Sequence, residues 1–444
     1  MSKLYRPEEG TVSALNGAGD GVVEREGKRP VFVPDTLPGE RIQFVPRRRV
    51  KAALEADLLE LLEASPDRVK PICPYASVCG GCSWQHVDGA LQVKTKELLV
   101  NEAFAGAGLD LTVSEFIPCP EPFYYRNRMD YAFGRDGELG LKMSGRWWET
   151  LDLETCFLLS KEAPEILRRV REWSQATELP FWDTRDHQGF FRYLVIREGK
   201  NTGERLIMLV TSDQVSPDVL KEHKKSLVVL LDDLATSILW SVNDKVTDLS
   251  TPSSMEVLKG TPFLHESVNE ITYRIQPASF FQTNTIMAAK LQDVVLNACE
   301  GNKGLVMDLY CGAGFFSLQL AKRGVDVLGV ELDAAAIEGA KENARLNTIN
   351  NAEFIASKAE EFDWLDRMPE IVIVDPPRAG LHPDVIAALT KALPTRIIYV
   401  SCKYQRLIEE LPHFLKHYSV KKVSALDLFP QTPHVEVVVE MTKL

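Results

Sequence analysis

A cysteine and a carboxylate late in the chain carry the most chemical information. Cys402 closes the run Arg396-Ile397-Ile398-Tyr399-Val400-Ser401, and Glu436 stands in Thr432-Pro433-His434-Val435-Glu436. C5 of uracil is a poor nucleophile, but a thiolate that adds to C6 turns C5 into an enolate carbon able to attack a methyl sulfonium. The C5 proton must then leave, a carboxylate near C5 can take it, and elimination expels the thiol. Methylation of a nitrogen or an oxygen needs neither residue. Combined with a methyl donor, the pair points to C5 methylation of a pyrimidine.

The donor is read from the segment that opens at Gly304. Leu305-Val306-Met307-Asp308-Leu309 is followed by Gly312-Ala313-Gly314, a helical stretch from Phe316 to Lys322, and Val325-Asp326-Val327-Leu328-Gly329-Val330-Glu331. That is a strand, glycine loop, helix and strand, the βαβ unit of a doubly wound sheet. Glycines let backbone approach a ligand closely, and Glu331 at a strand end can accept hydrogen bonds from ribose hydroxyls. No third glycine follows at the dinucleotide spacing, which favours S-adenosylmethionine over NAD. Further strands are expected at 371–374 and 397–400. Asp375-Pro376-Pro377-Arg378 follows the first of these, where an aromatic residue after the prolines would indicate amino-group methylation; Arg378 argues against it. Lys403, adjacent to Cys402, is expected to favour the thiolate. The plain alternatives are a cysteine that is only a small buried hydrophobe and a glutamate that is only a strand-surface carboxylate.

Cys73, Cys79 and Cys82 fall within one loop of ten residues, and Cys156 is a candidate fourth ligand. Zinc and an iron–sulfur cluster both accept four thiolates, so spacing leaves the two open beside buried or redox thiols.

The elements that must position these groups follow from length and pattern. A chain of 444 residues exceeds one ordinary core, so several domains are expected. Short alternating apolar segments broken by glycine over the first sixty or so residues read as a small antiparallel β-barrel. A helix is expected over 85–107, and mixed strands and helices from Tyr125 to about Glu270 read as an α+β domain. Residues 420–428 and 435–441 read as a closing strand pair. A formal charge of −12 argues against nonspecific coating of nucleic acid. The first 51 residues nevertheless hold ten lysines and arginines against seven aspartates and glutamates, including Arg47-Arg48-Arg49, which fits a basic RNA-facing arm or a solvated surface. No apolar run approaches the roughly 20 residues of a membrane helix and the start lacks a signal-peptide core, so a cytoplasmic protein without membrane association is expected. No obligate protein partner is evident.

With these residues in view, the chain resembles the RNA (uracil-5-)-methyltransferase family, and within it the bacterial 23S rRNA branch, over nearly its whole length. The resemblance implies three parts: a TRAM-type, OB-like RNA-binding barrel over 8–61, a central α+β RNA-binding domain with an iron–sulfur loop over 62–268, and a Rossmann-like α/β methyltransferase domain over 269–444. It implies Cys73, Cys79, Cys82 and Cys156 as [4Fe-4S] ligands. Tyr125-Arg126-Asn127-Arg128 matches the family's central motif, and Phe281-Gln282-Thr283-Asn284 matches its entry to the catalytic domain. Gln282, Tyr310, Glu331 and Asp375 fall on donor-site positions, Cys402 on the nucleophile and Glu436 on the base. Two departures stand out: Ser401-Cys402-Lys403-Tyr404 where the family usually has Ser-Cys-Asn-Pro, and Phe315 where an asparagine often follows the donor glycines. The expected function is methylation of C5 of a uridine in 23S rRNA, with the base flipped out of its stack. The alternatives are tRNA uridine methylation by the same chemistry and a non-catalytic RNA-binding assembly factor.

Overall fold

The computed structural model describes residues 6–363 and 365–444. The chain splits into two compact units, one running to Asp110 and including Phe429–His434, the other comprising Leu111–Leu428 and Val435–Leu444.

In the first unit, β1 (Glu8–Thr11), β2 (Ala14–Leu15), β3 (Gly21–Val23), β4 (Val31–Val33), β5 (Arg41–Val50) and β6 (Ala53–Glu63) form one sheet ordered β1-β5-β6-β4-β3-β2. Side chains of a strand alternate between faces, so Ile42 and Phe44 of β5 turn inward together and join Val12, Val23, Val31, Val33 and Ala56 in one core. The basic run lies on β5, where Arg47 and Arg48 pair with Asp57 (3.3 Å) and Glu55 (2.6 Å) of β6. Its charge is therefore partly answered across the hairpin rather than left as a bare basic arm. Gly19 has φ +86° and a Cβ there would stand 2.5 Å from Nε1 of the buried Trp84, which donates to the Gly19 carbonyl at 3.1 Å. Helix α1 (Gly89–Gly106) is capped by Asp88, whose carboxylate accepts from the Ala90 N–H at 2.9 Å. Gln92 on this helix binds segment 429–434 reciprocally: its Oε1 accepts from the Gln431 N–H and its Nε2 donates to the Gln431 Oε1, both at 3.0 Å.

The second unit begins with β7 (Glu115–Ile117) and then builds a seven-stranded sheet. Its members are β8 (Arg128–Phe133), β9 (Leu139–Met143), β10 (Arg146–Asp152), β11 (Phe191–Glu198), β12 (Arg205–Thr211), β13 (Ser237–Val242) and β14 (Ser254–Lys259), ordered β10-β9-β8-β11-β12-β13-β14. Helices α2 (Ala163–Ala176) and α3 (Pro217–Leu231) connect them, α3 supplying the crossover that the parallel pair β12/β13 requires. The hairpin of β15 (Leu264–Val268) and β16 (Ile271–Ile275) turns through Asn269 and Glu270, both with positive φ, as a two-residue hairpin turn demands.

The last sheet carries α4 (Thr285–Ala298), β17 (Val306–Leu309), α5 (Ser317–Lys322), β18 (Val327–Glu331), α6 (Ala334–Leu346), β19 (Ala352–Ala356), β20 (Ile371–Val374), α7 (Pro383–Ala392), β21 (Arg396–Ser401), α8 (Tyr404–Phe414), β22 (Tyr418–Leu426) and β23 (Glu436–Lys443). The order is β19-β18-β17-β20-β21-β23-β22-β7, parallel through the first five, with β23 inserted antiparallel between β21 and β22. The direction of winding reverses between β17 and β20, which opens a crevice at their carboxyl ends.

The boundary expected at 268/269 falls in the turn of the β15/β16 hairpin, and that hairpin is tied beside it to segments next to the seven-stranded and the last sheet. Buried Glu266 accepts from the N–H groups of Lys200 (2.8 Å), Asn201 (3.0 Å) and Ser267 (2.9 Å) and from the Thr285 hydroxyl (2.9 Å). Among the described residues no helix is long and apolar enough to cross a membrane.

A comparable buried carboxylate holds the first unit. Glu40 is fully buried and accepts from Arg68 Nε (2.5 Å) and Nη2 (2.9 Å) and from the N–H groups of Leu37 and Ser65. Burial pushes its carboxyl up, but Arg68 and the backbone donors outweigh that and hold it below its ordinary value. Arg68→Ala leaves this charge buried without its cation and should destabilise the first unit by about 3 kcal/mol or more at neutral pH. The stabilisation by a lowered carboxylate is lost as pH falls, so the gap to wild type should narrow on acidification; urea unfolding at pH 7 and pH 4 measures both.

Candidate active site

β17 runs into Tyr310 and the glycine loop. Tyr310 has φ +67°, an unfavourable backbone for an aromatic residue, and its N–H donates to the Val330 carbonyl at 2.9 Å. Gly312 and Gly314 also have positive φ; a Cβ at Gly312 would meet nothing within 4 Å, so this side of the loop is open. Glu331 at the end of β18 accepts from the Gly312 N–H through one oxygen (3.3 Å) and from the Asp333 N–H through the other (2.9 Å). An open glycine loop beside a strand-end carboxylate suits the ribose of a nucleoside ligand.

Gln282 is buried just ahead of α4, and here the two motifs read separately from the sequence meet. The Asn127 side chain donates to the Gln282 carbonyl at 2.8 Å and to the Thr285 hydroxyl at 3.0 Å, and the Asn127 N–H donates to Thr283 at 2.8 Å. Asn284 caps α4 by accepting from the Met287 N–H at 3.1 Å. Phe315, one of the departures, packs its ring 5.8 Å from Phe281, and its carbonyl accepts from Gln292 (2.7 Å) and the Tyr273 hydroxyl (3.0 Å). The asparagine expected there is thus replaced by an aromatic anchor.

Strand register brings Cys402 to Glu436. Val400 pairs with Val438 and Ser401 with Val437, so continuing the antiparallel count sets Cys402 opposite Glu436. Cys402 is half-buried, whereas Glu436 is 3% exposed. Burial, and after it the charge of Asp375, push the Glu436 carboxyl well above its ordinary value, with Arg378 opposing. Burial and the neighbouring charge of Asp308 also push Asp375 up. Asp308 itself is pushed up to about 7 by burial, although one of its oxygens accepts from both the Ser317 N–H and hydroxyl. Its other oxygen is buried without a partner.

The Cys402 thiol is raised by burial and by the Glu436 and Asp375 charges, and Arg378 opposes them by charge and hydrogen bond. Arg378 therefore fills the role expected of Lys403, whose side chain points to solvent as the residue preceding α8. The helix still starts cleanly without the family's proline, because Tyr404 is buried at its first position and the Lys403 N–H donates to the Ser401 hydroxyl at 3.2 Å.

Glu410, which the sequence reading did not single out, fixes this arrangement from α8. Its buried carboxylate accepts from the Tyr399 hydroxyl (2.6 Å) and the Leu381 N–H (3.1 Å), while Arg406 donates to the Ala379 carbonyl at 2.7 Å. The helix that begins just after Cys402 thereby clamps the loop carrying Asp375 and Arg378.

Cys73, Cys79 and Cys82 lie on the first unit's loop between β6 and α1, and Cys156 is buried in the second unit after β10. Four thiols are a suitable donor set, yet no group of three or more His, Cys, Asp or Glu side chains able to hold a metal ion is formed among the described residues. The expected cluster thus finds no support in this geometry, and no chemical step is routed through it.

The family profile described as tRNA (uracil-5-)-methyltransferase matches residues 261–368 and 365–444. The tRNA (uracil(54)-C(5))-methyltransferase of Pyrococcus horikoshii is 37% identical over 97% of this chain and 99% of its own length. Its Pyrococcus furiosus counterpart is 35% identical over 98% and 99%. The crystal structure of the Pyrococcus abyssi tRNA (uracil-54, C5)-methyltransferase with S-adenosyl-L-homocysteine superposes with a TM-score of 0.81 at 32% identity, covering 98% of this chain and all of that one. These relatives are named for tRNA and not for the 23S rRNA branch that the motifs suggested. On this evidence the chain belongs to the RNA (uracil-5-)-methyltransferase family.

Proposed function

We propose that the protein methylates C5 of a uridine in tRNA, at the position numbered 54 in its relatives, with S-adenosylmethionine as donor. The observation that supports the chemistry is the β21/β23 register, whose last pair, Ser401 with Val437, leaves Cys402 and Glu436 as the next residues along the two strands, with the Glu436 charge acting on the Cys402 thiol. The near full-length likeness to tRNA enzymes supports the choice of RNA over the 23S rRNA expected from the motifs.

Gln282, Tyr310, Glu331 and Asp375 would hold the donor, which supplies an electrophilic methyl group on sulfur. The Cys402 thiolate adds to C6, the C5–C6 π electrons move into the C4 carbonyl as an enolate, and C5 attacks the methyl carbon, whose bond to sulfur breaks as neutral S-adenosylhomocysteine leaves. Glu436, kept in a buried site where its basicity is raised, removes the C5 proton; the electrons of that C–H bond re-form the C5–C6 double bond and expel the thiolate. Arg378 steadies the thiolate before attack and after release.

Nucleotide-resolution mapping of 5-methyluridine in tRNA and rRNA from a strain lacking the protein tests this reading. The modification should vanish from tRNA, return with wild type and stay absent with Cys402→Ala. Loss confined to 23S rRNA would restore the other substrate, and full complementation by Cys402→Ala would end the covalent route.

Because the thiol is raised and must lose its proton to attack, activity should climb with pH. Arg378→Gln removes the group that opposes this rise, so the ascending limb of the profile should move to higher pH and the rate at neutral pH should fall. An unchanged limb would show that Arg378 does not act on Cys402.

The same reading keeps Cys73, Cys79, Cys82 and Cys156 as ligands of a [4Fe-4S] cluster, on the loop spacing and donor chemistry alone. Anaerobically purified protein should then contain about four irons and four sulfides per chain, lost with Cys79→Ser. Stoichiometric zinc without iron would refute it.

A further inference from the structure

We propose that Trp147 and Trp148 form a stacking platform for unpaired bases of the RNA substrate; this rests on the reading of the chain as an RNA methyltransferase. Among the described residues these are the only exposed tryptophans, 56% and 37% accessible, whereas Trp84, Trp182 and Trp240 are buried. Large aromatic surface left in water on a soluble protein usually marks a contact.

The backbone presents them deliberately. In the β9/β10 ladder Arg146 pairs with Met143, and the next pair is Thr150 with Lys142, so Trp147, Trp148 and Glu149 are looped out of register. Bulges of this kind re-aim side chains away from the sheet. The two indoles meet edge to face at 5.9 Å, and the Arg185 guanidinium lies 5.1 Å from the Trp148 ring centroid. Arg146, 58% exposed at its side chain, neutralises the adjacent Glu149 at 3.1 Å. Indole faces combined with guanidinium planes suit bases and phosphates, and such stacking tolerates any base.

The hairpin also stands in a useful place. β9 runs antiparallel to β8, with Ala132 opposite Gly140, so its tip lies at the end of the sheet where β8 begins. There Arg128 donates to the carbonyls of Ala278 (3.5 Å) and Ser279 (3.4 Å), shortly before Gln282. A strand of RNA resting on the indoles would therefore run beside the donor-side segment.

The test is binding of a fluorescein-labelled single-stranded oligoribonucleotide, followed by anisotropy without methyl transfer, so that failure of tRNA methylation leaves it interpretable. The Trp147→Ala/Trp148→Ala protein should bind about tenfold or more weakly, with S-adenosylhomocysteine affinity and unfolding midpoint unchanged. The Trp147→Phe/Trp148→Phe protein should recover most of the loss. If the alanine pair lowers the midpoint, acrylamide quenching of wild-type tryptophan emission decides: protection by the oligonucleotide supports the platform, and unchanged accessibility overturns it. Unaltered binding by a folded alanine variant would also overturn it, as would a wild-type dimer that the variant converts to monomer, since the patch would then serve a second copy of the chain.

Discussion

Acidic groups crowded into low dielectric at the carboxyl ends of one sheet govern the active end of this molecule. Asp308, Asp375 and Glu436 are all raised by burial, and each of the last two is raised further by a neighbouring carboxylate. A buried carboxylate without a partner costs several kcal/mol when charged, so such a group keeps its proton and becomes a stronger base once it has lost it. Arg378 is the cation that tempers both Glu436 and Cys402. Its position thus decides whether a thiol among acids can ever be a thiolate. The Glu410 clamp matters for this reason: a shift of the loop holding Arg378 would change the charge balance at sulfur without touching sulfur itself.

The parts legible in the sequence are those whose signal is local. The strands β17, β18, β20 and β21 are short apolar runs, buried on both faces as parallel strands are, and their loops carry the glycines and the Asp-Pro-Pro-Arg turn in plain view. Long-range relations stayed hidden. Nothing near Asn127 in the sequence reveals that it will hold the backbone of Gln282, and nothing near Cys402 reveals that its cation comes from Arg378 rather than from Lys403 next door. The bulge at Trp147 is invisible because it is defined by the partner strand. The tight turn at Asn269 and Glu270 is likewise set by the pairing of β15 with β16.

The two departures from the family pattern are absorbed by packing. Phe315 joins Phe281 and Tyr273 in an aromatic cluster, and its carbonyl takes two hydrogen bonds that hold the loop end. Tyr404 is buried at the head of α8, which begins two residues after Cys402 without a proline. Neither residue lies in the β21/β23 ladder on which the proposed chemistry rests.

The placement of β23 has a consequence for how the site is assembled. Its two neighbours, β21 and β22, both precede it in the chain, yet it lies between them. β22 and β23 are consecutive and pair as an antiparallel hairpin, whereas the ladder of β23 with β21 spans the intervening α8 and β22. The β21/β23 ladder is the less local of the two, and less local pairing forms more slowly. Glu436 is the first residue of that strand, so the two residues on which the proposed chemistry rests are brought together by a strand-to-strand closure and not by either segment alone.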